Sequence, residues 1–399
     1  MPARPGQPDN PGPGRPARSA AGSPPVGAPA TRIVMPVRPR VHGSRRRVNG
    51  WNNERTATMW RYLSLTLGGS VTLILSDKDV RGIADMPALV NSLDQGLRAE
   101  TTGPGAIIPE RLNLGLGNTM FRVMPAILPA AGVLGLKLFY GSIEEGVRYA
   151  VIVSAIDGGE VMAVIDAAYL TALRTGATSG VATRYLARPD ARTAGVIGSG
   201  LEAETNLAAV CAVREIETAR VYSRNPDRRS EFALRMAKRL GIEIEPADSP
   251  QQAVAGADVV VVATNTGRGG EAAYRGSTLE AGQHVVSIGS TAPFLREIDT
   301  DALLRPDVVI FDTSAAQVGS ESGDVMALLA QRPQWTPHGT LDDLLAGRVK
   351  RTSSDQSTLF KSVGTAAQDL IAGLAVYQAA TARGIGLSVP DVTEPKEFL

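Results

Sequence analysis

The chain has 399 residues, of which 43% are hydrophobic and 20% charged, and its formal net charge is +1. This length and composition are typical of a globular protein of two or three domains, and the balanced charge excludes a general attraction to nucleic acid or to a membrane surface. A single cysteine, Cys211, excludes an intramolecular disulfide, and three scattered histidines predict no metal site.

Residues 1–58 differ from the rest of the chain, because proline, glycine, alanine and arginine dominate them and large hydrophobic residues are rare. Such a segment cannot build a core, so we predict a disordered leader, with Met59 as a plausible true start. An arginine-rich targeting segment is the alternative, although its recurring prolines argue against an amphipathic helix. No apolar run approaches the roughly 20 residues of a transmembrane helix, and we expect a cytoplasmic protein.

From residue 71 the pattern becomes globular, with a strand at 71–75 followed by a helix that Ser76 and Asp77 cap. Four strand-like runs follow, FRVMPAIL, VLGLKLFY, RYAVIVSAI and EVMAVID, and glycine-containing turns separate them. These runs predict a mostly antiparallel meander. The run AAYLTALRTGATSGVATRYLA then predicts a long helix that tolerates Gly176 and Gly180 in its interior.

From Arg192 onward, short apolar runs alternate with helical segments. The predicted strands are RTAGVIG, ETARVYS, IEIE, ADVVVVAT, HVVSIGS and PDVVIFD. This alternation predicts a doubly wound parallel sheet of the Rossmann type. The later runs STLFKSVG and TAAQDLIAGLAVYQAATARG fall outside the alternation, so we expect both to return to the first domain.

The segment GVIGSGLEAE lies between a predicted strand and a predicted helix, which is the context of a phosphate-binding turn. Gly198 permits the tight turn, Gly200 lets the backbone approach a pyrophosphate, and the small Ala203 allows close helix packing. Ser199 and Leu201 complete the turn, where free N–H groups bind anions. A glycine turn in an unrelated α/β fold is the alternative.

The end of the second strand of this region indicates which nucleotide binds. An acidic residue there would bond the ribose hydroxyl of NAD, but the chain has Ser223, Arg224 and Asn225, with no carboxylate before Asp227. Arg224 can pair with a 2′-phosphate, and Ser223 can donate a hydrogen bond to it. We therefore predict a preference for NADP(H), with NAD(H) possible; an exposed arginine on a solvated loop is the alternative.

The chain resembles the ornithine cyclodeaminase/mu-crystallin family over residues 71–385. The resemblance depends on LILSDKDV, GLKLFY, LTALRTGATSGVATRYLA, GVIGSGLEAE, SIGSTAPFLREID, ESGDV and LFKSVGTAAQDL, in this order. It implies a two-domain, dimer-forming enzyme that moves a hydride between a nicotinamide and the α-carbon of an amino or imino acid. The members include cyclodeaminases, alanine and arginine dehydrogenases, and cyclic ketimine reductases.

The resemblance also implies roles for individual residues. Lys137 matches a lysine that contacts the substrate carboxylate beside the reacting carbon, and Arg111 and Arg174 match two carboxylate-binding arginines. For Lys137, a surface position at a strand end is the alternative. Thr175 is expected to face the cofactor. The rest of the predicted cofactor site consists of Thr264, Gly289 and Val363, the last within a segment, 361–364, that either closes over the cofactor or packs as an edge strand.

We expect residues 59–186 and 347–385 to form the mixed, mostly antiparallel α+β domain that binds substrate and dimerises. Residues 187–346 are expected to form the dinucleotide-binding domain, and 386–399 a tail. Glu321 and Asp324 are predicted either to line the nicotinamide side of the site or to cap a helix.

One position departs from the family pattern. Cyclodeaminases have an aspartate within GxDxP after a strand, but here the sequence is IGSTAP, with Thr291 in that place. A hydroxyl cannot act as a base of carboxylate strength, although it can bond an imine nitrogen or a water. We therefore predict an NADP(H)-dependent reductase of cyclic ketimines, with Lys137 and Thr291 as catalytic residues. Ornithine cyclodeaminase, an open-chain amino acid dehydrogenase and a non-catalytic NADPH-binding protein are the alternatives.

Overall fold

The computed structural model describes residues 71–142, 144–390 and 392–396, which all belong to one compact unit. The predicted leader, residues 1–58, and the predicted start of the first domain lie outside the described residues. Within the described ranges, no helix has both the length and the hydropathy that a membrane crossing requires.

The first part of the chain forms a mixed sheet with three helices. The strands are β1 (Val71–Leu75), β2 (Leu112–Leu116), β3 (Thr119–Leu128), β4 (Val133–Ser142), β5 (Gly146–Ala155) and β6 (Val161–Asp166). The helices are α1 (Asp77–Ile83), α2 (Met86–Thr102) and α3 (Ala168–Leu186). Strands β2 to β6 form the predicted antiparallel meander, and β6 pairs in parallel with β1.

The second part forms a parallel sheet in the order β13-β12-β14-β11-β10-β7-β8-β9. Its strands are β7 (Thr193–Ile197), β8 (Thr218–Tyr222), β9 (Glu243–Pro246), β10 (Val259–Val262), β11 (His284–Ser287), β12 (Val308–Phe311), β13 (Gly339–Thr340) and β14 (Thr358–Lys361). Its helices are α4 (Leu201–Val213), α5 (Pro226–Leu240), α6 (Pro250–Val254), α7 (Thr300–Leu304), α8 (Ala315–Glu321), α9 (Gly323–Gln331) and α10 (Leu341–Leu345).

The parallel sheet is buried on both faces. In β10, Val259 and Val261 belong to one hydrophobic core, and Val260 and Val262 belong to a second core on the opposite face. Because successive strand residues point to opposite faces, both faces must be covered, as in a doubly wound sheet. The predicted fold class is therefore confirmed.

The chain then returns to the first sheet through α11 (Ala366–Arg383) and β15 (Leu387–Pro390), which pairs with β1. The expectation that STLFKSVG also returns was wrong, because β14 lies between β11 and β12 of the parallel sheet. The crossing therefore occurs after Lys361, and Thr358–Lys361 belongs to the parallel sheet. Residues 387–390 are likewise a strand of the first sheet rather than a free tail.

Two glycines let α3 and α4 pack closely. A Cβ atom on Gly176 would lie 2.5 Å from the carbonyl oxygen of Thr205 in α4, and one on Gly180 would lie 3.1 Å from the Cβ of Ala209. Glycine is therefore required at these positions rather than tolerated. The contact brings the middle of α3 to the first turns of the helix that follows the glycine-rich turn.

Candidate active site

Lys137 lies in the middle of β4, between Met124 of β3 and Val151 of β5, and its side chain is almost fully buried. Its Nζ is 3.2 Å from Oδ1 of Asp369 and 5.5 Å from the centre of the Tyr149 ring. A buried ammonium requires such partners, because burial without them disfavours the charged form. Lys137 is therefore not the surface lysine of the alternative interpretation.

Arg174 reaches the same carboxylate from α3. Its Nε donates to Oδ1 of Asp369 at 2.7 Å, and its Nη1 donates to Oε1 of Gln368 at 3.1 Å. All of these side chains are buried. Two of the three predicted substrate-binding cations thus meet at one oxygen atom, which belongs to the first turn of α11.

The segment that crosses between the two sheets supports this cluster. Asp312, after β12, accepts hydrogen bonds from Ser362 Oγ at 2.6 Å and from the Gly364 N–H at 2.7 Å. Gly364 has a φ of +81°, and a Cβ atom there would lie 2.7 Å from Nη2 of Arg174. The crossing segment therefore needs glycine at this position, and it sets where α11 begins.

Arg111, the third predicted cation, precedes β2 and points toward the same crossing segment. Its Nη2 donates to the Gly364 carbonyl oxygen at 2.6 Å, and its Nη1 is 2.7 Å from Oε2 of Glu321. Arg122 lies 3.8 Å from the same Glu321 oxygen and stacks on the Phe139 ring at 5.0 Å. Glu321 is thus an ion-pair partner of Arg111 at the end of α8.

Burial and charge together set the protonation of this region. Burial lowers the pKa of Lys137 to about 8, although the attraction of Asp369 opposes that shift. Burial raises the pKa of Glu202, in the first turn of α4, and the attraction of Arg174 and Lys137 opposes it only in part. Oε2 of Glu202 is buried and has no hydrogen-bond partner among the described residues. Glu202 therefore links the start of α4 electrostatically to both cations.

The glycine-rich turn has the geometry of a phosphate-binding site. Gly198 has a φ of +130°, and a Cβ atom there would overlap the carbonyl oxygen of Ala263. Gly200 is the N-cap residue of α4 and makes no side-chain cap, so Leu201 begins a helix whose first N–H groups have no side-chain acceptor. Ala203 is fully buried. These features fit a nucleotide pyrophosphate, as the sequence predicts.

The end of β8 places the predicted nucleotide-selecting residues in one exposed loop. The Arg224 guanidinium donates to the Asn265 carbonyl oxygen at 3.0 Å, and Ser223 Oγ donates to the Asn225 carbonyl oxygen at 3.1 Å. The Asn225 side chain caps α5 by accepting from the Arg228 N–H. Arg224 is exposed and has no ion-pair partner among the described residues, so it remains available to a phosphate.

Thr264 and Gly289, at the carboxyl ends of β10 and β11, are joined by one buried carboxylate. Glu297 accepts from the Thr264 N–H at 2.8 Å and from the Gly289 N–H at 2.7 Å. Burial raises the pKa of Glu297 to about 7, against the attraction of Lys361. Glu297 thus holds the two strand ends at a set distance beside the predicted cofactor site.

Lys361, at the end of β14, belongs to this second buried cluster. Its Nζ is 3.1 Å from Oδ2 of Asp324 and 2.9 Å from Ser287 Oγ. Asp324 also accepts from the Glu297 N–H. The interpretation of this segment as an edge strand was wrong, since β14 is central in the sheet. Val363 follows it, buried, with its N–H bonded to Asp312.

The two predicted threonines occupy different surroundings. Thr175 is buried in α3, next to Arg174, and its hydroxyl donates to the Thr171 carbonyl oxygen at 2.8 Å. Thr291 is half-buried in the loop that follows β11. No hydrogen bond among the described residues connects Thr291 with Lys137, so its role stays a prediction.

Four carboxylates of these clusters, Asp369, Glu297, Glu202 and Asp312, were not identified from the sequence. Asp369 and Glu297 lie within stretches that carry the family resemblance, QDL and REID, and Glu202 lies within the glycine segment itself. An acidic residue in the first turn of a helix usually complements the helix dipole, so Glu202 and Asp369 gave no sign of a second role. Only the pairing of distant segments places them beside cations.

The fold and the site together define a Rossmann-type dinucleotide-binding protein with a buried cationic cluster beside its glycine-rich turn. The chain belongs to the ornithine cyclodeaminase/mu-crystallin family, whose profile matches residues 70–384. This match confirms the resemblance that the sequence motifs indicate.

The relatives and solved structures to which the chain is similar include reductases and dehydrogenases. A Delta(1)-pyrroline-2-carboxylate reductase of Bacillus cereus is 29% identical over 325 residues, which cover 79% of this chain and 98% of the relative. The structure of the Thermococcus litoralis Delta(1)-pyrroline-2-carboxylate reductase with NADH and L-proline is 34% identical, with a TM-score of 0.74 over 79% of this chain and 100% of that one. An archaeal alanine dehydrogenase dimer with bound NAD is 27% identical, with a TM-score of 0.73 over 81% of this chain and 100% of that one.

Proposed function

We propose that the protein is an NADP(H)-dependent reductase of a small α-imino acid, with cyclic ketimines such as pyrroline- or piperideine-2-carboxylate as substrates. One observation carries this proposal: α3, which bears Arg174, packs so closely on the first turns of α4 that a Cβ atom on Gly176 would lie 2.5 Å from the Thr205 carbonyl oxygen, and Arg174 shares Asp369 with Lys137. The two cations therefore adjoin the site where a nicotinamide nucleotide would bind. The reductase names of the relatives support the same reaction class.

In the proposed reaction the cations bind and orient the substrate. While Glu202 is protonated, Lys137 and Arg174 carry two positive charges against the single charge of Asp369, so the cluster attracts one further carboxylate. Its capture fixes the adjacent α-carbon, and such positioning accounts for a large part of a catalytic barrier. A bound nicotinamide would supply the hydride that adds to this carbon, while the imine electron pair moves to a nitrogen that is already protonated. The Phe139–Tyr149 ring pair, 5.3 Å apart beside Lys137, gives an apolar wall for the substrate ring.

The proposed cofactor preference is for NADPH, and Arg224 supports it. Its guanidinium is exposed at the end of β8, where a ribose 2′-phosphate would lie. The strand end has Ser223 in place of the acidic residue that would bind the ribose hydroxyl of NAD. The relatives' structures hold NADH or NAD, so the phosphate preference is a property that we assign to this chain.

We also propose that the protein acts as a homodimer. The strand β2 is exposed along its whole length, and Leu112, Leu114 and Leu116 expose their side chains on it. An exposed apolar stripe of this kind is characteristic of an interaction surface. The archaeal alanine dehydrogenase, which is a dimer, supports a second copy of this chain as the partner.

The test is a turnover assay with NADPH and NADH against a panel of cyclic ketimines, α-keto acids with ammonia, and L-ornithine with NAD⁺. We expect NADPH oxidation with at least one cyclic ketimine. Formation of proline and ammonia from ornithine, without ketimine reduction, would instead identify a cyclodeaminase. Cofactor binding without turnover of any compound would identify a non-catalytic binding protein.

A further inference from the structure

We infer that Asp369 is a positioning residue of the proposed substrate clamp: its Oδ1 atom keeps Lys137 in its charged form and fixes the Arg174 guanidinium beside it. The inference extends the proposed function, since it concerns how the two cations are prepared for the substrate carboxylate. It rests on the contacts of one side chain in the first turn of α11.

The geometry of Asp369 is that of a bridge. Its Oδ1 is 3.2 Å from Lys137 Nζ and 2.7 Å from Arg174 Nε, and all of these side chains are buried. Its second oxygen, Oδ2, is buried without a hydrogen-bond partner among the described residues. This carboxylate brings two cations from different elements, β4 and α3, to one atom.

A bridging carboxylate is needed here because the two cations repel each other. Arg174 lowers the pKa of Lys137, and burial lowers it more, whereas Asp369 raises it. The other groups that face Lys137 are Glu202 of α4 and the Tyr149 ring of β5. Without Asp369, the nearest compensating charge would be lost and Lys137 would release its proton at lower pH. A neutral lysine would no longer attract the substrate carboxylate.

The crossing segment determines where this carboxylate lies. Asp312 accepts hydrogen bonds from Ser362, Gly364 and, at 3.2 Å, the Gln368 side chain. The capping box of Thr365 and Gln368 then starts α11. The parallel sheet thereby fixes the start of the helix that carries Asp369. The bridge is thus formed by the connection between the two sheets.

The experiment compares wild type with Asp369→Asn through the pH dependence of kcat/KM for the best ketimine. We expect a wild-type decline above about pH 8, because Lys137 loses its charge there. In Asp369→Asn this decline should move down by at least one pH unit, which reduces the charged fraction of Lys137 at pH 8 by about fivefold or more, with the loss mainly in KM. Identical profiles would overturn the inference.

Two further variants separate positioning from folding. Asp94→Asn removes a buried carboxylate that pairs with Arg184 and Tyr185, away from the cluster, and should leave the profile in place. Lys137→Arg/Asp369→Asn should have the same pH profile as Lys137→Arg alone, because arginine does not titrate in this range and any decline that remains belongs to the imine. If Asp369→Asn does not fold, Asp369→Ser carries the same comparison.

A direct titration of Lys137 keeps this inference distinct from the proposed function. The chain has six lysines, so selective ¹³C labelling gives few resonances, and Lys137→Arg identifies that of Lys137. We expect a midpoint near 8 in wild type and a lower one in Asp369→Asn. An unchanged midpoint overturns the inference even if ketimines are reduced, whereas absence of turnover in wild type rejects the proposed function and leaves this titration valid.

Discussion

Single residues in this protein have properties that their neighbours impose. Lys137 is buried and yet must be charged in the proposed reaction, and its pKa of about 8 reflects a balance between burial and the attraction of Asp369. Arg111 is also a buried cation, and its charge is compensated by the ion pair with Glu321 and by a hydrogen bond to the Gly364 carbonyl oxygen.

The first prediction concerns Arg224 and the nucleotide. Arg224→Ala should weaken NADPH binding about 10- to 100-fold, since it removes a hydrogen bond to a charged group, which contributes about 1.5–3 kcal/mol. Binding of NADH should change little. Fluorescence titration of both nucleotides measures this, with Arg239→Ala in the last turn of α5 as the control. An equal loss for both nucleotides would contradict the assignment.

The second prediction concerns Glu202. Burial raises its pKa, so the side chain ionises only as the pH rises above the usual glutamate range. An ionised carboxylate in the first turn of α4 would repel the nucleotide phosphates. Glu202→Gln should therefore exceed wild type in NADPH affinity by a factor that is larger at pH 9 than at pH 6. Isothermal titration calorimetry at both pH values measures this ratio.

The control for Glu202 lies two residues away. Glu204 is on the same helix and pairs with Arg235, so Glu204→Gln should not change the ratio of NADPH affinities between the two pH values. A pH-independent effect of Glu202→Gln would show that its carboxylate does not face the nucleotide.

At the scale of elements, close approach of backbones decides the geometry of the site. Gly198 brings the glycine-rich turn against the end of β10, and Gly176 brings α3 against α4. The strand–turn–helix order around Gly198 was predicted from the sequence, because hydrophobic pattern and glycine spacing are local features. The contact between α3 and α4 was not predicted, because a glycine inside a helix does not indicate which other helix packs against it.

The third prediction uses two glycines of the same turn. Gly198→Ala should destabilise the protein by about 1–3 kcal/mol, because a Cβ atom combines a strained φ with a backbone collision. Gly200→Ala should leave stability nearly unchanged, since its φ is −91° and the space around it is open, yet it should weaken NADPH binding. Urea unfolding and nucleotide titration separate the two effects. Equal destabilisation by both variants would be inconsistent with this geometry.

The wrong assignment of β14 also belongs to this scale. Its residues, TLFK, form a short apolar run that ends in a lysine, and such a run fits either sheet. The lysine is accommodated in the parallel sheet because its ammonium pairs with Asp324 and donates to the Ser287 hydroxyl. Strand pairing is a long-range contact, so local pattern cannot select the sheet.

At the scale of the whole molecule, β2 is an apolar strand that the described part of the chain leaves exposed along its length. The fourth prediction is that Leu114→Arg/Leu116→Arg converts the proposed dimer into a monomer, because arginine side chains at these two exposed positions would place charge in the proposed interface. Light scattering after size-exclusion chromatography measures the mass. Leu234→Arg, an exposed leucine on α5, is the control. An unchanged mass of the double variant would exclude β2 from the interface.

The sequence by itself determined the family, the Rossmann-type region, the glycine-rich turn and the three cations, because these depend on periodicity and on short motifs that act locally. The tertiary structure alone decided which carboxylates those cations meet, where the chain crosses between its sheets and why two helix glycines are needed. Asp369 and Lys137 are 232 residues apart in the chain. No local pattern relates such residues, and their interaction exists only once two sheets and the helix between them have assembled.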